Sequence, residues 1–252
     1  MGGVGGRYSL RRNTPEEWDF QTIPESFNTC RMSVKNIHLR KLLILIYTPQ
    51  NRLISMLRDD IRTELAKQSG LSGGGGNFHD AFWSDAKIHA MGLGDLQALL
   101  ITRVAASRQR SRLYPLLSNG FLLWWNEKRR WVNEPFTAVD QSVHARLSLG
   151  PPEGVIKIDN FLAVQFGDQS YRLVYPYFDE RVPLGEEAAR VGLWAIEQAI
   201  PKIERGSFRI LDVIRGKSFS IADVPFHGDE EQVLTRNFKR IVGEWERLRS
   251  EY

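Results

Sequence analysis

Apolar positions recur at helical spacing from Ser33 to about Trp131, and at strand spacing after Pro135. Leu39, Leu42, Leu43 and Ile46 fall at i, i+3, i+4 and i+7, which predicts an amphipathic helix. Thr48-Pro49 reads as the cap and first residue of a second helix, with the stripe Leu53, Leu57, Ile61 and Leu65 and a stop at Gly70. GLSGGGGN, residues 70–77, is a loop. A short helix is expected from Phe78 to Met91. Asp95 caps another, with Leu96, Leu99, Leu100 and Val104 inward. Pro115 is expected to break the pattern. Phe121, Trp124 and Trp125 then restart it in a helix that finishes at Lys128-Arg129-Arg130.

Beyond Pro135 the period becomes two. Val139, Val143, Ala145, Leu147 and Leu149 alternate with polar residues, as in a half-buried strand. After the turn GPPEG come Ile156, Ile158, Leu162, Val164 and Phe166. A GDQS turn leads to YRLVYPYF, so residues 155–178 read as a hairpin. Residues 186–200 form a helix with Ala189, Leu193, Ile196 and Ile200 on one face. Phe208–Ile214 is a strand, and SFSIADV continues as a further one. Asp229 caps the last helix, with Gln232 completing a capping box. Its buried stripe is Leu234, Phe238, Ile241, Trp245 and Leu248.

These elements predict an α+β fold: a helical N-terminal half, then an antiparallel β-meander with two C-terminal helices, in the order βββαβα. Three regions are expected: a Gly- and Pro-interrupted extension at 1–31, a helical region at 32–134 and an α+β region at 135–252. The last two are able to share one compact domain. The 252 residues suffice for a core without staples. Cys30 is the only cysteine, so no intrachain disulfide forms, which fits a reducing cytoplasm. No apolar run approaches the ~20 residues of a membrane span, and the expectation is a soluble cytoplasmic protein without a membrane partner.

Charge changes the picture at one place. Residues 1–135 carry a net +7 and residues 136–252 a net −3. The excess is concentrated in residues 103–130, where Arg103, Arg108, Arg110, Arg112, Lys128, Arg129 and Arg130 outnumber one acid, Glu127. Tyr114, Trp124, Trp125 and Trp131 are interleaved. Cations with aromatics suit a polyanion that carries stackable bases. The expected contacts are Arg108, Arg110, Arg112, Lys128, Arg129 and Arg130, with Trp125 or Trp131 stacking. The structural alternative places the tryptophans in a core and the cations at a helix C-terminus.

Catalytic chemistry is thinner. His79, Asp85 and His89 are legitimate ligands for a divalent metal, but their spacing is not that of a zinc hydrolase. Asp212 shares strand parity with Phe208, Ile210 and Ile214, so it points inward, where Lys217 or Lys157 is a possible partner. The order helix, three strands, helix, strand over residues 117–214 is similar to the core of PD-(D/E)XK nucleases. That resemblance implies Glu127 or Glu134 near the first acidic position and Asp159 near the second. The third strand, YRLVYPYF, lacks the acid-x-lysine pair, so the resemblance implies a degenerate, non-cleaving core. Phosphate-loop, dinucleotide, GxSxG and HExxH signatures are absent.

The resulting expectation is a nucleic-acid- or polyanion-associated binding or accessory protein without catalysis or a required cofactor. The alternatives are a metal-dependent phosphodiesterase and an assembly subunit. The latter would use an aromatic surface near Trp124/Trp125 or Tyr175/Tyr177 to bind a protein partner.

Overall fold

The computed structural model describes residues 33–70, 78–131, 136–139, 143–166 and 170–252. The expected extension at 1–31 lies outside them. The chain is α+β. Its elements are β1 (Asn36–His38), α1 (Leu39–Tyr47), α2 (Gln50–Gln68), α3 (Asp80–Ala90), α4 (Leu96–Ala106) and α5 (Leu113–Trp131). There follow β2 (Phe136–Val139), β3 (Ala145–Leu149), β4 (Gly154–Ile158), β5 (Leu162–Phe166), β6 (Tyr171–Tyr177), α6 (Glu186–Ala199), β7 (Phe208–Asp212), β8 (Lys217–Phe219) and α7 (Glu230–Arg249).

The strands make two sheets, ordered β1-β4-β3 and β2-β5-β6-β7-β8. The expected first and second strands each divide between the two. Val139 pairs with Ala163, and Ala145 pairs with Ile158. Five residues therefore separate the two ladders on one arm and four on the other. Asn160 sits in the shorter arm at φ 67°, and its carbonyl accepts the Trp83 indole N–H at 2.5 Å. The meander is antiparallel through β6. β7 then joins β6 in parallel, as the α6 crossover requires.

Each face of the larger sheet has its own core. Leu173, Tyr175, Tyr177, Phe208 and Ile210 face α1, α6 and α7. Val174, Leu211, Val213, Leu162 and Val164 face α3 and α5. α1 is buried almost all round, and its Leu39, Leu42, Leu43 and Leu45 are fully inaccessible. The α7 stripe of Leu234, Phe238, Ile241, Trp245 and Leu248 is buried as expected. Asp229 stands at the N-cap but makes no capping bond; it pairs with Arg190 at 3.0 Å. The buried Glu230 takes the His227 and Gly228 amides instead, and also receives Arg190.

Two expectations fail locally. Pro115 does not interrupt a helix, because α5 begins at Leu113 and a proline in the first turn removes no intrahelical bond. The α4–α5 connection is Ser107–Arg112, containing a 3-10 turn at Arg108–Arg110. On α4 only Leu96 is buried; Leu99, Leu100 and Val104 are half-buried. α5 crosses the β7–β8 corner at Gly120. A Cβ there would stand 2.1 Å from the Val213 carbonyl oxygen and 2.4 Å from that of Ile214. Gly120→Ala should therefore destabilise the fold by about 1–3 kcal/mol or more. Gly243, in α7, has nothing within 4 Å of its would-be Cβ, and Gly243→Ala should gain about 0.5–1 kcal/mol. Urea denaturation of both variants checks the opposite signs.

Candidate functional site

Most of the basic-aromatic stretch is committed to structure. Asp85 is buried, and Arg103 grips it through two bonds of 2.8 and 2.9 Å. Arg112 donates both guanidinium ends to Glu180, one at 2.8 Å. Arg110 lies over the Tyr114 ring, 5.5 Å from its centroid. Arg108 is exposed. Tyr114 is buried and donates to the Phe78 carbonyl. Trp124 and Trp125 are 5% and 4% exposed, packed with Phe121 in the α3/α5 core. Tyr175 and Tyr177 are buried too, so neither aromatic pair forms a surface patch. Lys128, Arg129, Arg130 and Trp131 end α5, and their side chains lie outside the described residues. Arg112 and Arg129 bracket this helix, roughly 25 Å apart at 1.5 Å per residue, not the shorter stripe that a helix restarting after Pro115 would give.

The weaker catalytic candidates occupy separate settings. Asp85 belongs to Arg103. His89 Nδ1 lies 3.2 Å from the Leu96 amide and 3.3 Å from the Gly94 carbonyl. The His79 ring stacks on Phe178 at 4.9 Å. Among the described residues, no three His, Cys, Asp or Glu side chains are placed to share a metal ion. Asp212 is buried and accepts the Leu184 amide at 3.1 Å and Arg215 at 2.9 Å. Lys217 sits over the Phe219 ring. Asp159 follows β4, 3.2 Å from His38 Nδ1. Burial pushes its carboxyl up, but the His38 bond and the charges of His38, Arg40 and His144 bring it below the ordinary value. Asp159 and Asp212 thus sit in hydrogen-bond sets that share no residue. Glu127 is exposed, Glu134 lies outside the described residues, and β6 carries no acid.

Two concavities lie at opposite ends of α5. The first is a groove of about 250 Å³ beside Leu113, between α1, α2 and the segment after β6. Arg40, Lys41, Arg52 and Arg181 line it, against Asp179 and Glu180. Lys41 pairs with Asp60 at 2.6 Å, Arg52 with Asp179 at 3.7 Å, and Arg40 with Asp80 at 3.4 Å. Through Glu180 the groove adjoins Arg112. The second is a recess of about 190 Å³ beside Trp124 and Trp125. Its floor is the sheet face, where Arg172 of β6 and Arg209 of β7 stand. Ser218, Ser220 and Asp223 form its rim.

The Arg172–Arg209 pair escaped sequence reading. YRLVYPY and FRILD each hold one cation among mainly apolar residues. Arg172 shares parity with the buried Val174, and Arg209 with the buried Leu211. An arginine on the core side of a strand buried on both faces was the available signal. Comparison with protein-family models, curated proteins and solved structures yields no match. No described helix is long and apolar enough to cross a membrane.

His79 is pushed from the ordinary 6.5 to about 4, first by burial and then by the Arg40 charge. Above pH 6.5 neither folded nor unfolded chain is protonated there. Between 6.5 and about 4 only the unfolded chain binds the proton, so stability falls as pH falls. The loss should reach roughly 3 kcal/mol at most. His79→Gln should flatten the decline in urea midpoint between pH 7 and 4.5. An unchanged decline contradicts the assignment.

Proposed function

We propose that the protein binds a polyanion, with nucleic acid as the leading candidate, and does not cleave it. The observation that carries this reading is the cationic groove at the start of α5. It gathers Lys41, Arg52 and Arg181 from three separate segments beside Arg112, with Arg108 and Arg110 on the adjoining turn. Several of these cations have acidic partners. Exposed pairs contribute only about 0–1 kcal/mol, so a phosphodiester can take over the cation with little loss. Arg112 and Glu180 illustrate this, with the Arg112 side chain 71% exposed despite its bidentate contact. Guanidinium forks suit the phosphates of an extended backbone. The binding-only reading is favoured because Asp159, Asp212, His79 and His89 are each held by different partners.

Counterion release should make affinity fall steeply with salt. Fluorescence anisotropy with labelled single-stranded and duplex oligonucleotides, from about 50 to 200 mM salt, measures it. Arg110→Glu with Arg181→Glu should weaken binding about tenfold or more and reduce the salt slope, with the thermal midpoint unchanged within error. Absence of binding at the lowest salt, or an unaltered double variant, defeats the reading.

A further inference from the structure

The recess at the far end of α5 has a chemistry of its own. Parity decides what faces it. Alternate residues of a strand share a face, so Arg172 points where the buried Val174 points and Arg209 where the buried Leu211 points. In the parallel register Val174 stands opposite Arg209, which brings the two guanidinium groups onto neighbouring strands of one face. Burial, and then the charge of Arg172, hold Arg209 below the ordinary arginine value. Arg209 is anchored: its Nη1 donates to the Gly206 and Phe208 carbonyls, both at 2.7 Å. Arg172 lies over the Phe166 ring, 4.7 Å from its centroid. Among the described residues neither arginine forms an ion pair within 4 Å. Two like charges are held side by side in a partly dry place, with no bonded counter-ion among the described residues.

Trp124 supplies a second, independent sign. It lines the recess, and its buried indole N–H has no acceptor among the described residues. An orphan donor alone is weak testimony, since Trp245 has one in the opposite core. Trp124 differs because its neighbours at the recess are donors as well. Among the described residues the one acid lining it is Asp223, which receives the Ser220 amide at 2.8 Å and the Ser220 hydroxyl at 2.6 Å on one oxygen. The described lining of the recess is therefore rich in donors and short of acceptors, with indole and valine walls. At about 190 Å³ it is smaller than common small-molecule sites of about 300–1,000 Å³. It has room for one phosphate and one ring and excludes a duplex.

We propose that this recess binds the phosphate monoester of a flat, ring-bearing molecule, with the phosphate on Arg172, Arg209 and the Trp124 N–H and the ring against Trp125. A monoester carries close to two negative charges at pH 7 and three acceptor oxygens, which matches two forks and one added donor. The site is separate from the polyanion groove and does not depend on it. The same chemistry is offered by a free nucleotide and by the phosphorylated end of a strand.

The test is a set of titrations of the whole chain, read by calorimetry. The probes are the four ribonucleoside 5′-monophosphates, adenosine, inorganic phosphate, and a short oligonucleotide with and without a 5′-phosphate. At least one monophosphate should bind about tenfold or more tightly than both adenosine and inorganic phosphate. Tight binding by the phosphorylated oligonucleotide alone also supports the site and names a strand end as its source. Arg172→Gln and Trp124→Phe should each weaken the monophosphate roughly tenfold, the loss of one charge-assisted or buried bond. Trp124→Phe removes the N–H together with part of a buried ring system, so its thermal midpoint should fall; Arg172→Gln leaves the core side chains in place and keeps the test decisive. Charge reversal in the groove, by Arg110→Glu with Arg181→Glu, should leave monophosphate binding intact. No binding by any probe overturns the proposal. So does equal binding of inorganic phosphate and nucleotide, or binding that both recess variants leave unchanged.

Discussion

Everything in this molecule answers to the burial of β6 and β7 on both faces. Paired at the middle of the larger sheet, they send Tyr175, Tyr177, Phe208 and Ile210 to one side and Val174, Leu211 and Val213 to the other. Apolar surface is covered at about 25 cal/mol per Å² removed from water, so neither face can stay bare. α6 covers one face as a consequence of the parallel crossover, with α1 and α7 beside it. α5 covers the other, and reaches the β7–β8 corner only because position 120 is glycine. The placement of charge follows. At the N-terminal ends of β6 and β7 the same parity turns Arg172 and Arg209 towards the recess that Trp124 and Trp125 of α5 line.

The basic stretch of 103–130 takes its meaning from that geometry. A run of arginines and tryptophans suggests a surface, yet the indoles of Trp124 and Trp125 are the material with which α5 buries the sheet. Arg103 is spent on Asp85, whose carboxylate is buried. Among the described cations of the stretch, Arg108, Arg110 and Arg112 stand at the start of α5, near Lys41, Arg52 and Arg181 from distant parts of the chain.

Legibility divides along the same line. Strongly periodic elements were readable: the stripes of α2 and α7, the Asp95 cap of α4, whose side chain accepts the Ala98 amide, and the α6 face. Those patterns report local geometry and one buried face. The split hairpin was not readable, because Ile156 and Ile158 continue to Leu162 and Val164 at even spacing while Asn160 turns the chain between sheets. Pro115 misled because its effect depends on where the helix begins, two residues before it. The recess residues were hidden because their partners are on other elements. Arg172 and Arg209 lie 37 positions apart and meet Trp124 only through the sheet. Inward-facing polar residues in two-sided strands carry that information, for Arg172 and Arg209 as for Asp212.

The central claim is that the recess on this sheet face is a donor-lined anion site. The most direct measurement is the indole N–H region of a proton–nitrogen NMR correlation spectrum, with Trp124 assigned by Trp124→Phe. On addition of a nucleoside monophosphate, the Trp124 resonance should move downfield and show the largest shift of the seven indole signals, as a donor gaining an acceptor does. If the nucleotide binds while that resonance stays in place, or another indole responds instead, the recess is not the site and the account is wrong.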